Sequence, residues 1–166
     1  PREAVATGMS SVSDRTFAAT TAGLGILALL HAVLTWPPAA VAAFFAGGAA
    51  IAFVAEALVI NLGLLEHHAG RKLLGVPLYV LFGWVGAVYV PFRIALLVTD
   101  GWLAVALGAV LATAYDALVD NRGVADGRWT YTDDLPGPRH GQVPWWNYAG
   151  WLAISTATAG LATLFL

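Results

Sequence analysis

The sequence predicts an all-α fold, a polytopic integral membrane bundle of about five transmembrane helices. Three observations carry that expectation. Hydrophobic residues fill 59% of the 166 positions and charged residues only 11%, where soluble domains carry about 25% charged residues. Mean hydropathy is +0.74, more apolar surface than so short a globule can hide. Hydropathy also separates into five stretches, each about the 20 residues that a hydrocarbon layer about 30 Å thick requires.

The spans are expected near 16–36, 39–65, 73–98, 101–120 and 146–166. They form one transmembrane domain, 16–166, preceded by an N-terminal segment, 1–15. Met9 is the single methionine and the expected natural start, with residues 1–8 a remnant of processing. The first two spans meet at "TWPPAA", where Pro37 and Pro38 stop one helix and start the next. The third and fourth meet at "TDGW", with Asp100 and Gly101 as the turn. The loop 121–145 is the one extended hydrophilic connection.

Orientation follows from the basic residues. Arg2, Arg15, Arg71, Lys72, Arg122, Arg128 and Arg139 fall on one face, and Arg93 toward the other. The positive-inside rule then predicts a multi-pass cell-membrane protein with its N-terminus and the 121–145 loop cytoplasmic and its C-terminus outside. Lys72 is the only lysine and lies in a loop, which excludes a retinal Schiff base within the membrane. A net charge of −2 argues against a nucleic-acid partner. Without cysteine there is neither a disulfide nor a thiolate metal site. No Walker motif or dinucleotide fingerprint is present, so no cofactor and no metal are expected.

Two stretches share a skeleton. "VPLYVLFGW" (76–84) and "VPWWNYAGW" (143–151) each run Val-Pro, five residues, Gly-Trp. Proline suits the first turn of a helix, where its missing N–H is not needed. Leu78, Tyr79, Trp145 and Trp146 then fall at headgroup depth, where amphipathic rings anchor. Gly83 and Gly150 permit close helix approach beside Trp84 and Trp151. The shared skeleton reads as a way of starting a membrane helix, and as a weak internal repeat. It does not account for Asn147.

The polar residues inside the spans are more informative. A carboxyl at mid-membrane costs about 2.5–3.5 kcal/mol on insertion scales, so it normally faces a polar cavity or a partner. Glu56 is such a residue, in "AFVAEALVINLGLL". Asp116 and Asp120 in "AYDALVDNRG" stand four apart and so share a helix face. With Asn147 they are expected to converge in the cytoplasmic half of the bundle. The bland alternatives are a solvated interfacial charge for Asp120, beside Arg122, and a hydrogen-bonded strut for Asp116. His67 and His68 read as a wet interfacial pair in a loop, and His31 as a satisfied core or outer-leaflet histidine.

Glu56, Gly63, "LGVPLYVLFGW" and "AYDALVDNRGVADGRWTYTDDLPGPRHGQVPWWNYAGW", in that order, resemble the membrane carotenoid biosynthesis proteins. That family includes bisanhydrobacterioruberin (C50 carotenoid) hydratases and related C40 carotenoid hydratases. The likeness spans roughly 53–155 and is more specific in its C-terminal half. It implies a protein that acts on or binds a carotenoid or isoprenoid, adding water to a terminal isoprene C=C by carboxyl general-acid catalysis. Glu56 or Asp116 would be the acid, with Asp120 and Asn147 positioning water. Trp84, Trp129, Tyr131, Trp145, Trp146 and Trp151 would line the substrate and stabilise a cation. "LLEHHAGRK" stands where the family has Phe-Gly-x-Tyr-x-Tyr, and Asn121 where it tends to have proline.

The alternative is a non-catalytic membrane subunit or a lipid- or carotenoid-binding protein, with membrane lipid, another membrane protein or a second copy as partner. It predicts carboxylates paired with loop arginines such as Arg122 or Arg128. The hydratase reading predicts carboxyls lining an open hydrophobic cavity. A proton pathway through the same acids is a weaker third reading.

Overall fold

Ser13 begins the first helix by accepting the backbone N–H of Thr16 on its side-chain oxygen at 3.3 Å, a standard N-cap. The computed structural model describes residues 13–132 and 135–166; most of the expected N-terminal segment, with Arg2 and Met9, lies outside them. Five helices follow in order: α1 (Asp14–Thr35), α2 (Pro38–Asn61), α3 (Leu78–Ala95), α4 (Gly101–Ala125) and α5 (Trp145–Thr163). Pro38 sits at the first helical position of α2, as the "TWPPAA" turn requires. A single π-helical turn, Ala43–Gly47, interrupts α2.

Among the described residues, α1 to α4 are long and apolar enough to cross a membrane. α5 has the length, 19 residues, but is diluted by Asn147, Ser155, Thr156 and Thr158. Ser155 and Thr158 are buried inside the bundle, so these polar groups do not face lipid. Large apolar side chains such as Leu27, Leu34, Leu97 and Leu118 are exposed instead, as a hydrocarbon solvent requires. The fold is the expected helical membrane bundle.

The expected span limits move where strands appear. Gly63 takes a left-handed φ of 74° and ends α2 before residue 65. Three short strands follow, β1 (Leu65–His67), β2 (Lys72–Leu73) and β3 (Val76–Pro77), so α3 starts at Leu78 rather than 73. α4 continues to Ala125, because Asp120 and Gly123 face inward and prolong the buried stripe beyond the expected end at 120. The chain then forms β4 (Trp129–Tyr131), β5 (Arg139–His140) and β6 (Val143–Pro144). β1 pairs antiparallel with β4, β2 with β3 and β5 with β6. All six strands therefore sit at one end of the bundle, where α2 and α4 end and α3 and α5 begin.

α3 is the most buried helix. α1 lies against it closely enough that a Cβ on Gly86 would stand 3.1 Å from Gly25 Cα, a small-residue contact typical of membrane helices. At the end away from the strands, Trp36, Phe44, Tyr89 and Phe92 form an aromatic cluster, with Trp36 and Tyr89 centroids 5.0 Å apart. His31 joins it through Tyr89, Nδ1 to OH at 2.7 Å, so it is a satisfied histidine.

Candidate functional site

A cavity of about 660 Å³ opens at the strand end of the bundle. It is lined by α1 (Phe17, Thr20, Leu24), α3 (Tyr79, Gly83, Trp84) and α4 (Tyr115, Asp116, Val119, Asp120). Its surface is mostly apolar, with the carboxyls of Glu56, Asp116 and Asp120 among its lining.

Asp116 and Asp120 occupy successive turns of one α4 face, and both are 4% exposed. Asn147, in the first turn of α5, donates its Nδ2 to both, at 2.7 Å to Asp116 Oδ2 and 3.1 Å to Asp120 Oδ2. Asp120 accepts two more bonds from β4. Trp129 Nε1 reaches Oδ1 at 2.7 Å, and the Tyr131 hydroxyl reaches Oδ2 at 2.7 Å. Burial first, and the Asp120 charge second, push the Tyr131 phenol well above its ordinary value near 10, so it stays a donor. Among the described residues, Asp120 thus meets three donors and Asp116 one.

Glu56 completes the cluster from α2. Its Oε1 accepts Trp84 Nε1 at 2.9 Å, and its Oε2 lies 3.3 Å from His67 Nε2. Trp84 in turn stacks on Trp151, centroids 3.8 Å apart at 24°. The expected convergence of Glu56, Asp116, Asp120 and Asn147 therefore occurs, and Trp84, Trp129, Tyr131 and Trp151 line the same cavity.

Two expected lining residues do not. Trp145 is 47% exposed and points its indole N–H at Pro136 O, 3.4 Å away. Trp146 packs edge-on behind Tyr131, centroids 5.5 Å apart. The cause is helix geometry: Asn147 and Trp151 are four apart on one face, and positions 145 and 146 are rotated off it.

His67 was expected to be wet, and it is buried at 5% exposure. β1 alternates inward Leu65, outward Glu66, inward His67, the period-two pattern of a strand. His68 keeps the exposed position expected of it, with its Nε2 2.8 Å from Thr130 Oγ1. The alternation in "LEH" was a signal for His67, but it is short and borders a helix. Tyr79, expected at headgroup depth, is instead 9% exposed and lines the cavity, as does Phe17, which no sequence feature marks out.

Arg128 bears on the choice between the two readings. Its guanidinium pairs with Asp126 at 2.7 Å and lies over the Phe17 ring, 3.9 Å from the centroid. It thereby ties the α4–β4 corner to α1 at the mouth of the cavity, and the buried carboxyls face the hollow.

The profile of the carotenoid biosynthesis protein family matches residues 17–166. No curated protein and no solved structure shows a significant match. The matched region includes α2 to α5 whole, α1 from Phe17 onward and every cavity residue but Thr16. The chain is a membrane protein and belongs to the carotenoid biosynthesis protein family.

Proposed function

We propose that this protein is a carotenoid hydratase, adding water across a terminal isoprene double bond of a long polyene. Supporting it above all is the juxtaposition of Glu56, Asp116 and Asp120 with an apolar cavity of about 660 Å³. Water does not add to an isolated trisubstituted alkene unaided. The alkene must first take a proton, forming a C–H bond and leaving a tertiary carbocation. Water then supplies an electron pair to form the C–O bond, and the extra proton returns to a base.

The buried carboxyls can serve both ends of that cycle. A neutral carboxylic acid held away from bulk water is a competent proton donor. A neighbouring carboxylate attracts the cation and accepts the proton released by water. Asn147, bonded to both aspartates, fixes their mutual geometry. The faces of Trp84, Trp129 and Trp151 offer their quadrupoles to the cation. The polyene would lie between α1 and α4 with its end group at the cluster. In this reading the N-terminus and the strand end are cytoplasmic and the C-terminus is outside.

Purified protein incubated with an acyclic anhydro-carotenoid should yield a product one water heavier. The Glu56→Gln/Asp116→Asn double variant should yield none while still binding the polyene. A polyene-binding wild type with no product would favour the alternative, a carotenoid-binding protein without turnover.

A further inference from the structure

The two Val-Pro stretches belong to a larger repetition. Around Gly63, the end of α2 makes three backbone bonds: Leu62 N to Leu58 O, Gly63 N to Ile60 O and Leu64 N to Val59 O. Around Gly127, the end of α4 makes the matching three: Asp126 N to Arg122 O, Gly127 N to Val124 O and Arg128 N to Gly123 O. Gly63 and Gly127 have φ values of 74° and 71°. Further along, Lys72 pairs with Pro77 and Leu73 with Val76, as Arg139 pairs with Pro144 and His140 with Val143. Leu78 N bonds Arg71 O at 2.9 Å, and Trp145 N bonds Pro138 O at 3.0 Å. The chain from α2 to α3 and the chain from α4 to α5 are two copies of one unit.

A pseudo-two-fold axis relates them. β1 and β4 are equivalent strands, and they pair antiparallel with Glu66 opposite its own counterpart, Thr130. Trp84 and Trp151 are counterparts too, and they stack on each other. Under this relation Glu56 corresponds to Asp120, and His67 to Tyr131. Each carboxyl bonds the inward residue at the end of the strand that follows its helix, at 3.3 Å and 2.7 Å. The symmetric role of Glu56 and Asp120 is thus to anchor a strand.

Asp116 and Asn147 break the symmetry. Their counterparts in the first unit are Ala52 and Val80. Ala52 is fully buried, in a cleft shared with Ile154 and Thr158 that has no room for water. Among the described residues, the second unit alone adds a further carboxyl at this position, bonded by a single donor, Asn147, and that carboxyl lines the cavity.

We propose that an internal duplication has left one working half, in which Asp116 is the proton-carrying carboxyl, while Glu56 is a positioning residue acting through His67 and Trp84. The assignment rests on the hydratase reading for its chemistry and on the pseudo-symmetry for its choice of residue.

Infrared spectroscopy of the purified full chain separates the two. The carbonyl stretch of a neutral buried carboxylic acid should be present in wild type, vanish in Asp116→Asn and persist in Glu56→Gln. With an acyclic anhydro-carotenoid, kcat should fall at least 1000-fold in Asp116→Asn with polyene binding kept, and recover in part in Asp116→Glu. Glu56→Gln should lower kcat less than tenfold, raise KM, and alter the near-ultraviolet circular dichroism of the Trp84–Trp151 pair. Loss of the band in Glu56→Gln with survival in Asp116→Asn would overturn the assignment, as would the reverse ranking of kcat. A wild type with the expected band and no product at all would instead remove the hydratase reading and leave Asp116 as the neutral acid.

Discussion

Trp84 and Trp151 lie face to face, centroids 3.8 Å apart, although 66 residues of chain lie between them. The stack joins the two repeated units beside the cavity, and its Trp84 half also donates to Glu56. Substituting Trp84→Phe keeps a ring in the stack and removes the indole N–H. A buried hydrogen bond to a charged or polar carboxyl lost in this way costs about 1–3 kcal/mol. Thermal unfolding in detergent should show that loss, and near-ultraviolet circular dichroism should lose the signature of the indole pair. An unchanged spectrum and midpoint would mean that the Trp84–Glu56 bond contributes nothing.

Asn147 is tested by removing its two donated bonds without changing its size greatly. Asn147→Leu leaves Asp116 and Asp120 facing each other with no shared donor. Hydration should fall about 100-fold or more, since misplacement of a reacting group by about 1 Å has effects of that order. Asn147→Gln can still donate and should retain more activity than Asn147→Leu. Equal activity in the two variants would show that the amide does not organise the carboxyls.

Gly123 has no side chain because the Trp129 ring occupies that space: a Cβ there would run into Trp129 Cζ2 and Cη2. Trp129 is also held by its bond to Asp120, so it cannot yield freely. Gly123→Ala should displace the indole, break the 2.7 Å bond and shift tryptophan fluorescence to longer wavelength. Adding Trp129→Phe should relieve the clash and restore stability without restoring the bond.

The architecture was legible in the sequence because lipid imposes a coarse rule. About 20 apolar residues make a span, and Pro37, Pro38, Asp100 and Gly101 punctuate them plainly. The carboxyl cluster was legible for a related reason, since Glu56, Asp116 and Asn147 stand out against greasy neighbours. The strands were not legible. β2, β3, β5 and β6 are two residues long each, too short for any periodicity to declare itself. His67 was misjudged for that reason, because whether it faces in or out depends on β1 pairing with β4, a contact distant in sequence. Trp145 and Trp146 stay off the cavity because Asn147 and Trp151, four apart, define the inward face of their helix, and the two positions before Asn147 are rotated away from it.

The α1–α3 contact tests whether α1 is a wall of the site or only a neighbour. A Cβ on Gly25 would meet the Phe82 backbone, which cannot swing aside as a side-chain tip can. Gly25→Leu should therefore part α1 from α3 and carry Phe17, with the Arg128 guanidinium stacked on it, away from the cavity mouth. Polyene affinity should drop at least tenfold while the β1–β4 pairing and the carboxyl cluster stay intact, because none of their bonds involves α1. Arg128→Met offers a milder check, loosening the same wall by removing the charge over the ring. If both variants bind the polyene as tightly as wild type does, the ligand does not lie between α1 and α4.

A single working half also makes a prediction about product order. The cavity presents one acid cluster at one end, so a polyene with two identical ends can react at only one of them per binding event. The second end requires release, reversal and rebinding. During early turnover the singly hydrated product should accumulate well ahead of the doubly hydrated one, and dilution with excess fresh substrate should suppress the second addition. Time-resolved chromatography of the products checks this directly. Doubly hydrated product from the first turnovers, with no free singly hydrated species, would require a second reacting site that neither Ala52 nor Val80 can provide.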